Sequence, residues 1–187
     1  MANLKQSWQY EDIIHLPTYD SDGIVKLCEI DNNKLTSELK PYLETMSKDK
    51  KQIGLRWAHD FEGLGDLRDT DYNPMGYKTS DFRHWQPNTS YLQEVCDTIR
   101  IRFYGRVRLL LLEPHACYTL HADPDRCRVH IPLVTNKDAL FFVNGKMWHM
   151  EVGHAYLMQV SNLHTALNAG LEDRVHIVFD KCDYLVN

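Results

Sequence analysis

The spacing of apolar residues changes near residue 106, from a helical period to a strand-like one. Before that position, apolar residues three and four apart predict helices over 32–46 and 91–103, and the apolar run 23–30 predicts a strand. Pro41 falls inside the first helix and is expected to interrupt or kink it. The first part of the chain is therefore expected to mix helices with strands.

Beyond residue 106, short apolar runs are separated by turn residues. The predicted strands cover residues 107–112, 118–120, 129–134, 139–144, 146–151, 155–160 and 174–179. The pair Asn144-Gly145 is a strong signal for a two-residue hairpin turn. Short strands at this spacing are typical of a sandwich or barrel. We therefore predict a mainly β fold with flanking helices, a double-stranded β-helix of the jelly-roll, cupin-like type.

Between these two regions, residues 54–88 are rich in Gly, Asp, Pro, Asn and Tyr, which are the residues of turns and loops. A long loop inside a compact domain is usually functional or disordered, and the aromatic and charged residues here argue against simple disorder. The segment from Gly54 to Pro87 is predicted to act as a lid. Its aromatic residues either line a pocket or pack the loop onto the core, and both alternatives stay open for Trp57, His59, Tyr72, Tyr77 and Trp85.

Composition and charge favour a cytoplasmic protein. The net charge is −5 and no basic run stands out, so a nucleic-acid partner is not indicated. The longest aliphatic stretch, Leu109–Leu112, is far too short to span a bilayer, and the first residues lack an apolar signal core, so no membrane partner is expected. The five cysteines form no Cys-x-x-Cys pair, which favours reduced thiols over a structural zinc site.

Three residues carry the donor atoms of a mononuclear metal site. His121 and Asp123 lie two apart on an extended segment, where their side chains point to the same side, and His164 follows about forty residues later. Two imidazoles and one carboxylate on one face of a metal leave the opposite face open, as in the facial triad of non-heme iron oxygenases. A His-x-Asp pair alone is weak support in a chain with ten histidines, and it gains weight from the residues downstream.

Arginines near these donors predict a binding site for a keto acid. Arg174 begins an apolar strand ten residues after His164, and a guanidinium that points into a barrel needs an anionic partner such as the distal carboxylate of 2-oxoglutarate. Arg128 and His130 share one strand face and could hold the other end of the keto acid. The alternative for Arg128 is a surface salt bridge, with three candidate partners, Asp123, Asp125 and Glu113.

The chain from about residue 106 to 180 resembles the aspartyl/asparaginyl β-hydroxylase family of Fe(II)/2-oxoglutarate-dependent dioxygenases. The matching stretches are residues 108–114, 120–123, 128–133, Gly153, 162–164, 168–170 and 174–180. The resemblance implies a double-stranded β-helix in which three residues bind iron, His121, Asp123 and His164. It also implies that Arg174 binds the distal carboxylate of 2-oxoglutarate, with Arg128 and His130 at its metal-proximal end.

The resemblance is greater to the bacterial branch, which includes free-amino-acid hydroxylases, because Asp123 stands where founding vertebrate members have glycine. Pro114-His115 and Gly153-His154 depart from the Pro-Gly and Gly-Glu pairs that the family often shows. The hydroxylated substrate is expected to be a small molecule, an amino acid or a peptide. Arg56, Arg68 and Arg83 are candidates for binding its carboxylate, and an exposed charge is the alternative for each.

Two functions are therefore carried forward. The first is an oxygenase that uses Fe(II), 2-oxoglutarate and O2 to hydroxylate an amino acid or amino-acid residue, with release of succinate. The second is a non-oxygenase, cupin-like barrel that binds a metal or ligand. Arg174 favours the first, since a mere metal-binding barrel needs no inward arginine. Residues 1–187 are expected to form one domain, in which 1–105 supply helices, strands and the substrate-side loop and 106–180 the catalytic jelly-roll core.

Overall fold

Two antiparallel sheets pack face to face in the computed structural model, which describes residues 23–57, 82–99, 102–103, 105–123, 127–180 and 182–183. The strands are β1 (Ile24–Glu29), β2 (Gln52–Trp57), β3 (His84–Trp85), β4 (Arg102–Phe103), β5 (Val107–Leu112), β6 (Ala116–Cys117), β7 (Arg128–Val134), β8 (Ala139–Val143), β9 (Lys146–Trp148), β10 (His154–Met158), β11 (His164–Asn168), β12 (Arg174–Phe179) and β13 (Cys182–Asp183). The helices are α1 (Asn32–Leu43) and α2 (Ser90–Thr98).

The larger sheet has seven strands in the order β1-β10-β7-β12-β5-β2-β3, and the smaller has the order β6-β11-β8-β9. Strands β4 and β13 pair separately. The predicted mainly β, jelly-roll fold with flanking helices is confirmed. Three strands from before residue 106, β1, β2 and β3, belong to the larger sheet. The assignment of the whole chain to one domain stays a prediction.

The larger sheet is covered on both faces, as its central strand β12 shows. Successive side chains of a strand point to opposite faces. Val175, Ile177 and Phe179 enter the core cluster that contains residues of α1 and α2. Arg174 and Val178 line a cavity on the other face. All six residues of β12 are buried, which explains an apolar strand that nevertheless carries Arg and His.

The two helices pack on the outer face of the larger sheet, and α1 supplies the cap of α2. Leu35, Leu39 and Tyr42 are the buried residues of α1, at helical spacing. Glu38 lies on the same helix and accepts hydrogen bonds from the backbone N–H groups of Tyr91 (2.6 Å) and Leu92 (2.9 Å). These are among the donors that a helix start leaves without an intrahelical partner.

The structure corrects several predicted boundaries. Helix α2 ends at Thr98 rather than 103, and Arg102–Phe103 pair with β13 instead. Helix α1 ends at Leu43, shortly after Pro41. The strand predicted at 118–120 is wrong, since the paired residues there are Ala116–Cys117. The hairpin at Asn144-Gly145 is confirmed, with φ values of 50° and 81° at the two turn residues.

The predicted loop from Gly54 to Pro87 is wrong at both ends. Residues through Trp57 belong to β2, which pairs with β5, and His84–Trp85 form β3. Trp57 is buried with its ring 5.5 Å from that of Phe82, and Trp85 packs against the helix-side core, so both serve packing. The predicted lid between them lies outside the described residues, as do His59, Arg68, Tyr72 and Tyr77. Within the described chain, no helix is long and apolar enough to cross a membrane.

Candidate active site

His121 and His164 meet at the first residue of β11, beyond the pairing of β6 with β11. Their backbones form an isolated antiparallel bridge, with reciprocal N–H to carbonyl distances of 3.1 and 2.8 Å, and their ring centroids lie 4.4 Å apart. The backbone N–H of Asp123 donates a hydrogen bond of 2.9 Å to the carbonyl of Val160, in the turn before His164. One ligand atom from each of the three side chains lies within 4.8 Å of the others. The chain thus brings His164 beside two donors that lie about forty residues earlier in the sequence.

The ring orientations suit metal binding. Nδ1 of His121 lies 2.6 Å from the carbonyl of Thr119, and Nδ1 of His164 lies 2.9 Å from that of Asn162. A carbonyl only accepts, so each Nδ1 carries the hydrogen and each Nε2 keeps its lone pair. These Nε2 atoms lie 3.9 and 3.5 Å from the Asp123 carboxylate oxygens. The donor set therefore fits a divalent metal ion on chemical grounds.

The carboxylate of Asp123 is held in its ionised form. Burial by itself opposes ionisation, but the contacts with His164, Arg128 and His121 together hold the pKa of Asp123 below its ordinary value. Nη1 of Arg128 lies 3.0 Å from Oδ2 of Asp123. A carboxylate that is already charged needs to lose no proton before it binds a metal.

A cavity of about 300 Å³ lies between the two sheets, and all six residues predicted to bind the metal or the cosubstrate line it. Its polar lining includes the three metal-donor candidates, His121, Asp123 and His164, and the three cosubstrate candidates, Arg174, Arg128 and His130. Apolar side chains complete the wall, among them Leu110, Phe141 and Met158. The structure thus brings all six residues to one site, while their roles as ligands stay predictions.

Arg174 is buried in the wall of this cavity. Its guanidinium carbon lies 4.5 Å from the ring centroid of Phe141, and its Nε and Nη2 lie 3.0 and 2.9 Å from the ring nitrogens of His176. Its Nη1 is buried and has no hydrogen-bond partner among the described residues. Burial lowers the pKa of Arg174 to about 10, so the group stays charged at neutral pH.

His176 and His130 are buried beside this charge and stay neutral. Burial and the neighbouring Arg174 place the pKa of each ring well below its ordinary value, and Arg128 acts on His130 as well. A neutral imidazole has one donor and one acceptor nitrogen, so His176 can accept only one hydrogen bond from Arg174. Both nitrogens of His130 lack a hydrogen-bond partner within the described part of the chain. Such buried groups cost stability until a ligand satisfies them.

Arg128 lies in an ion-pair cluster rather than at the surface. The predicted pairing with Asp123 is present, but the side chain is only 15% exposed, so the surface interpretation is wrong. Its Nε lies 3.1 Å from Oδ1 of Asp180. Asp180 also contacts Arg106 and, at 3.7 Å, Arg108, and these cations hold the pKa of its buried carboxyl far below its ordinary value against the opposing effect of burial.

Several site residues had been given no role from the sequence. Arg108 and Gln52 line the cavity and join through a 3.0 Å hydrogen bond, and Tyr118 and Phe141 line it too. Arg108 carried a usable signal, since it is the one charge inside the apolar run of β5, as Arg174 is in β12. Of the residues predicted to bind a substrate carboxylate, Arg56 and Arg83 do not line the cavity, and Arg68 lies outside the described residues. Arg56 donates to the carbonyl of Gly105 and lies over the ring of Trp85, and Arg83 is exposed.

Comparisons with known proteins agree with this fold. Residues 29–183 match the sequence model of the family described as aspartyl/asparaginyl beta-hydroxylase. A 2OG-Fe(II) oxygenase family oxidoreductase from Burkholderia pseudomallei has a similar structure, with a TM-score of 0.52 and 14% identity over 84% of this chain and 82% of that chain. AviO1 from Streptomyces viridochromogenes is similar with a TM-score of 0.50 and 15% identity over 89% of this chain and 92% of that chain.

A cupin 2 conserved barrel domain protein from Salinispora arenicola also matches, with a TM-score of 0.33 and 12% identity. That overlap spans 39% of this chain and 59% of that chain. No curated protein sequence matches the chain. At these identities the structural neighbours support the fold alone. The family match covers most of the chain, and the chain therefore belongs to the aspartyl/asparaginyl β-hydroxylase family.

Proposed function

We propose that this protein is an Fe(II)- and 2-oxoglutarate-dependent oxygenase that hydroxylates an amino acid or amino-acid residue. The observation that carries the proposal is one cavity holding both a two-histidine, one-carboxylate donor set and a buried arginine with an unsatisfied N–H group. A metal-binding barrel without an oxoacid cosubstrate would gain nothing from a buried guanidinium, which is costly to desolvate.

Three side chains would hold the metal. His121 and His164 present Nε2 lone pairs because backbone carbonyls bind their Nδ1 hydrogens. Asp123 supplies the negative charge. When bound, iron(II) together with 2-oxoglutarate supplies the oxidation of a C–H bond by O2, with succinate and carbon dioxide as co-products. The arrangement of two nitrogens and one carboxylate leaves coordination positions for small ligands.

The rest of the cavity would bind and orient the keto acid. Arg174 offers its free N–H group and its charge to the distal carboxylate, in a buried position where a charge-assisted hydrogen bond is strong. His130, neutral and without partners in the described chain, can donate one hydrogen bond to the metal-proximal end. Leu110, Met158 and Val178 line the same space and limit the entry of water.

Arg108 and Gln52 supply a candidate substrate end. Arg108 pairs in register with Val178, whereas Arg174 pairs with Leu112, so the two arginines stand four residues apart along the sheet. At about 3.3 Å per residue this separates their backbones by roughly 13 Å along the strands. The cavity therefore has a guanidinium near each end. We propose that Arg108 and Gln52 bind a carboxylate of the amino-acid substrate, while Arg174 binds the cosubstrate.

The test is conversion of 2-oxoglutarate to succinate under air with added iron(II), with and without a panel of free amino acids. We expect slow succinate release by the wild type alone, stimulation by the substrate, and loss of both in His121→Ala. His154→Ala is the matched control, because His154 lies on β10 but outside the cavity lining. Anaerobic binding of 2-oxoglutarate is measured in parallel. If the wild type neither binds nor consumes 2-oxoglutarate, the non-oxygenase barrel replaces the proposal.

A further inference from the structure

We infer that Asp180 is a positioning residue for the metal site: it holds Arg128 in place, and Arg128 in turn orients Asp123. This inference rests on the proposed function, because it takes Asp123 to be a metal ligand. Asp180 itself does not line the cavity. Asp180 directly follows β12 and acts on the donor Asp123 through Arg128.

The contacts form a continuous chain. Oδ1 of Asp180 lies 3.1 Å from Nε of Arg128, and Nη1 of the same guanidinium lies 3.0 Å from Oδ2 of Asp123. These are ion-pair contacts whose angles do not meet hydrogen-bond geometry. All three side chains are at most 15% exposed. Solvent screens such buried charges little, so the position of one strongly affects the next.

Backbone and side-chain contacts with Arg106 fix the position of Asp180. Its N–H donates to the carbonyl of Arg106 at 3.1 Å, and its side chain contacts the Arg106 guanidinium, so both parts bind the same neighbour. Gly105 makes this approach possible: a Cβ at that position would lie 2.5 Å from the carbonyl oxygen of Asp180, closer than real contacts allow. The anchor for Arg128 is therefore built from backbone as well as side-chain contacts.

Register explains why Asp180 reaches Arg128. Val129 pairs with Phe179, so Arg128 and Asp180 come to the same end of the β7-β12 pair. Arg106, Arg108 and Arg128 all approach Asp180, and without its charge these guanidinium groups would repel one another. A long arginine side chain has many rotamers, and the Asp180 contact selects the one that meets Asp123.

The expected consequence is a better-ordered metal ligand. Arg128 contacts Oδ2 of Asp123, which restricts rotation of the carboxylate and holds it toward the two Nε2 atoms. Groups that orient a metal ligand through one contact typically change metal affinity by about 10- to 100-fold when they are removed. Asp180 is expected to act in this range although it is two contacts from the ligand Asp123.

The experiment measures the dissociation constant of Co(II) alone, by calorimetry and by the visible spectrum of the bound ion. We compare the wild type with Asp180→Asn, Arg128→Gln and the double variant. Asp180→Asn and Arg128→Gln should each weaken binding about tenfold and alter the Co(II) spectrum. The double variant should bind Co(II) at most about twofold more weakly than Arg128→Gln does, because Asp180 acts through Arg128.

Two further variants separate positioning from folding and from bulk charge. Arg106→Gln keeps the Asp180–Arg128 contact and should bind Co(II) nearly as the wild type does. Arg106→Gln/Asp180→Asn removes one positive and one negative charge, so the net charge of the cluster is unchanged. This double variant serves as the test if Asp180→Asn alone misfolds. It should still bind Co(II) about tenfold more weakly than the wild type. Asp138→Asn removes a partly exposed carboxylate elsewhere and should leave the affinity unchanged.

The outcomes distinguish this inference from the proposed function. Wild-type affinity in a folded Asp180→Asn or in the charge-balanced variant overturns the inference and leaves the metal site standing. So does a double variant whose loss equals the product of the two single losses. If the wild type fails to bind Co(II), or if His121→Ala binds it equally well, the metal site itself is wrong.

Discussion

The guanidinium of Arg174 lies against the ring of Phe141, with 4.5 Å between its central carbon and the ring centroid. Arg174 belongs to the larger sheet and Phe141 to the smaller one, so the contact spans the space between the sheets. An aromatic face attracts a cation most strongly where water is excluded. The contact therefore helps to hold the charge that we propose to bind 2-oxoglutarate.

Phe141→Leu should weaken 2-oxoglutarate binding about fivefold, since a desolvated cation–π contact contributes on the order of 1 kcal/mol. The measurement is anaerobic titration of the metal-loaded protein with 2-oxoglutarate. Phe142→Leu is the matched control, because Phe142 is the next residue of β8 and is only half-buried. Equal affinities for the wild type and Phe141→Leu would remove this contact from the account of cosubstrate binding.

Arg108→Met should separate substrate binding from cosubstrate binding. Loss of a charge-assisted contact to a carboxylate should raise the KM for the stimulating amino acid by roughly 10- to 100-fold. The Kd for 2-oxoglutarate should change less than about threefold, because Arg174 stands near the opposite end of the cavity. The check is the KM in the succinate assay beside the anaerobic Kd. A loss confined to 2-oxoglutarate binding would reverse the two assignments.

His176 should make the metal-free protein less stable in mild acid. Its pKa in the folded state lies well below the ordinary value of 6.5, because of burial and the neighbouring Arg174. Below pH 6.5 the unfolded chain binds a proton that the folded protein does not, so stability falls as pH falls. Between pH 7 and pH 5 this contributes a loss of at most about 2 kcal/mol, the value for a folded ring that takes up no proton.

The test is chemical denaturation of the wild type and His176→Gln at both pH values. The substitution should reduce the difference in unfolding free energy between pH 7 and pH 5, by at most about 2 kcal/mol. His130 acts in the same direction and remains in both proteins, so part of the pH dependence should persist. The same pH dependence in both proteins would contradict this account of His176.

Glu38→Ala should lower stability without touching the site. Glu38 accepts hydrogen bonds from the first turn of α2, and loss of a helix cap typically costs about 1 kcal/mol. Urea denaturation should show this loss, while Co(II) and 2-oxoglutarate affinities stay as in the wild type. Lys40→Ala, which removes an exposed pair with Glu44 on the same helix, should cost much less. Equal losses in the two variants would show that the Glu38 cap contributes no more to stability than the exposed Lys40–Glu44 pair does.

The family resemblance and the jelly-roll prediction both came from the second half of the chain, and both are confirmed. In the first half the run 23–30 predicted β1, but β2 and β3 were missed because they adjoin loop-like sequence. Gly54 suggested a loop, but β2 pairs with β5 through a bulge between Gly54 and Arg56. Pairing with an established strand overrode the local preference of the residue. Phe103 likewise fits the helical stripe of α2, yet its backbone pairs with Cys182.

The sequence by itself determined the types of donor and the period of each strand, because both are properties of neighbouring residues. His121 and Asp123 are two apart, and Arg174 interrupts an apolar run, whatever surrounds them. Only the tertiary structure decided that His164 meets His121 through a backbone bridge, and that Asp180 joins Arg128 to the site. Those relationships depend on the register between distant strands, which is selected by packing of both sheet faces together and leaves no local pattern in the chain.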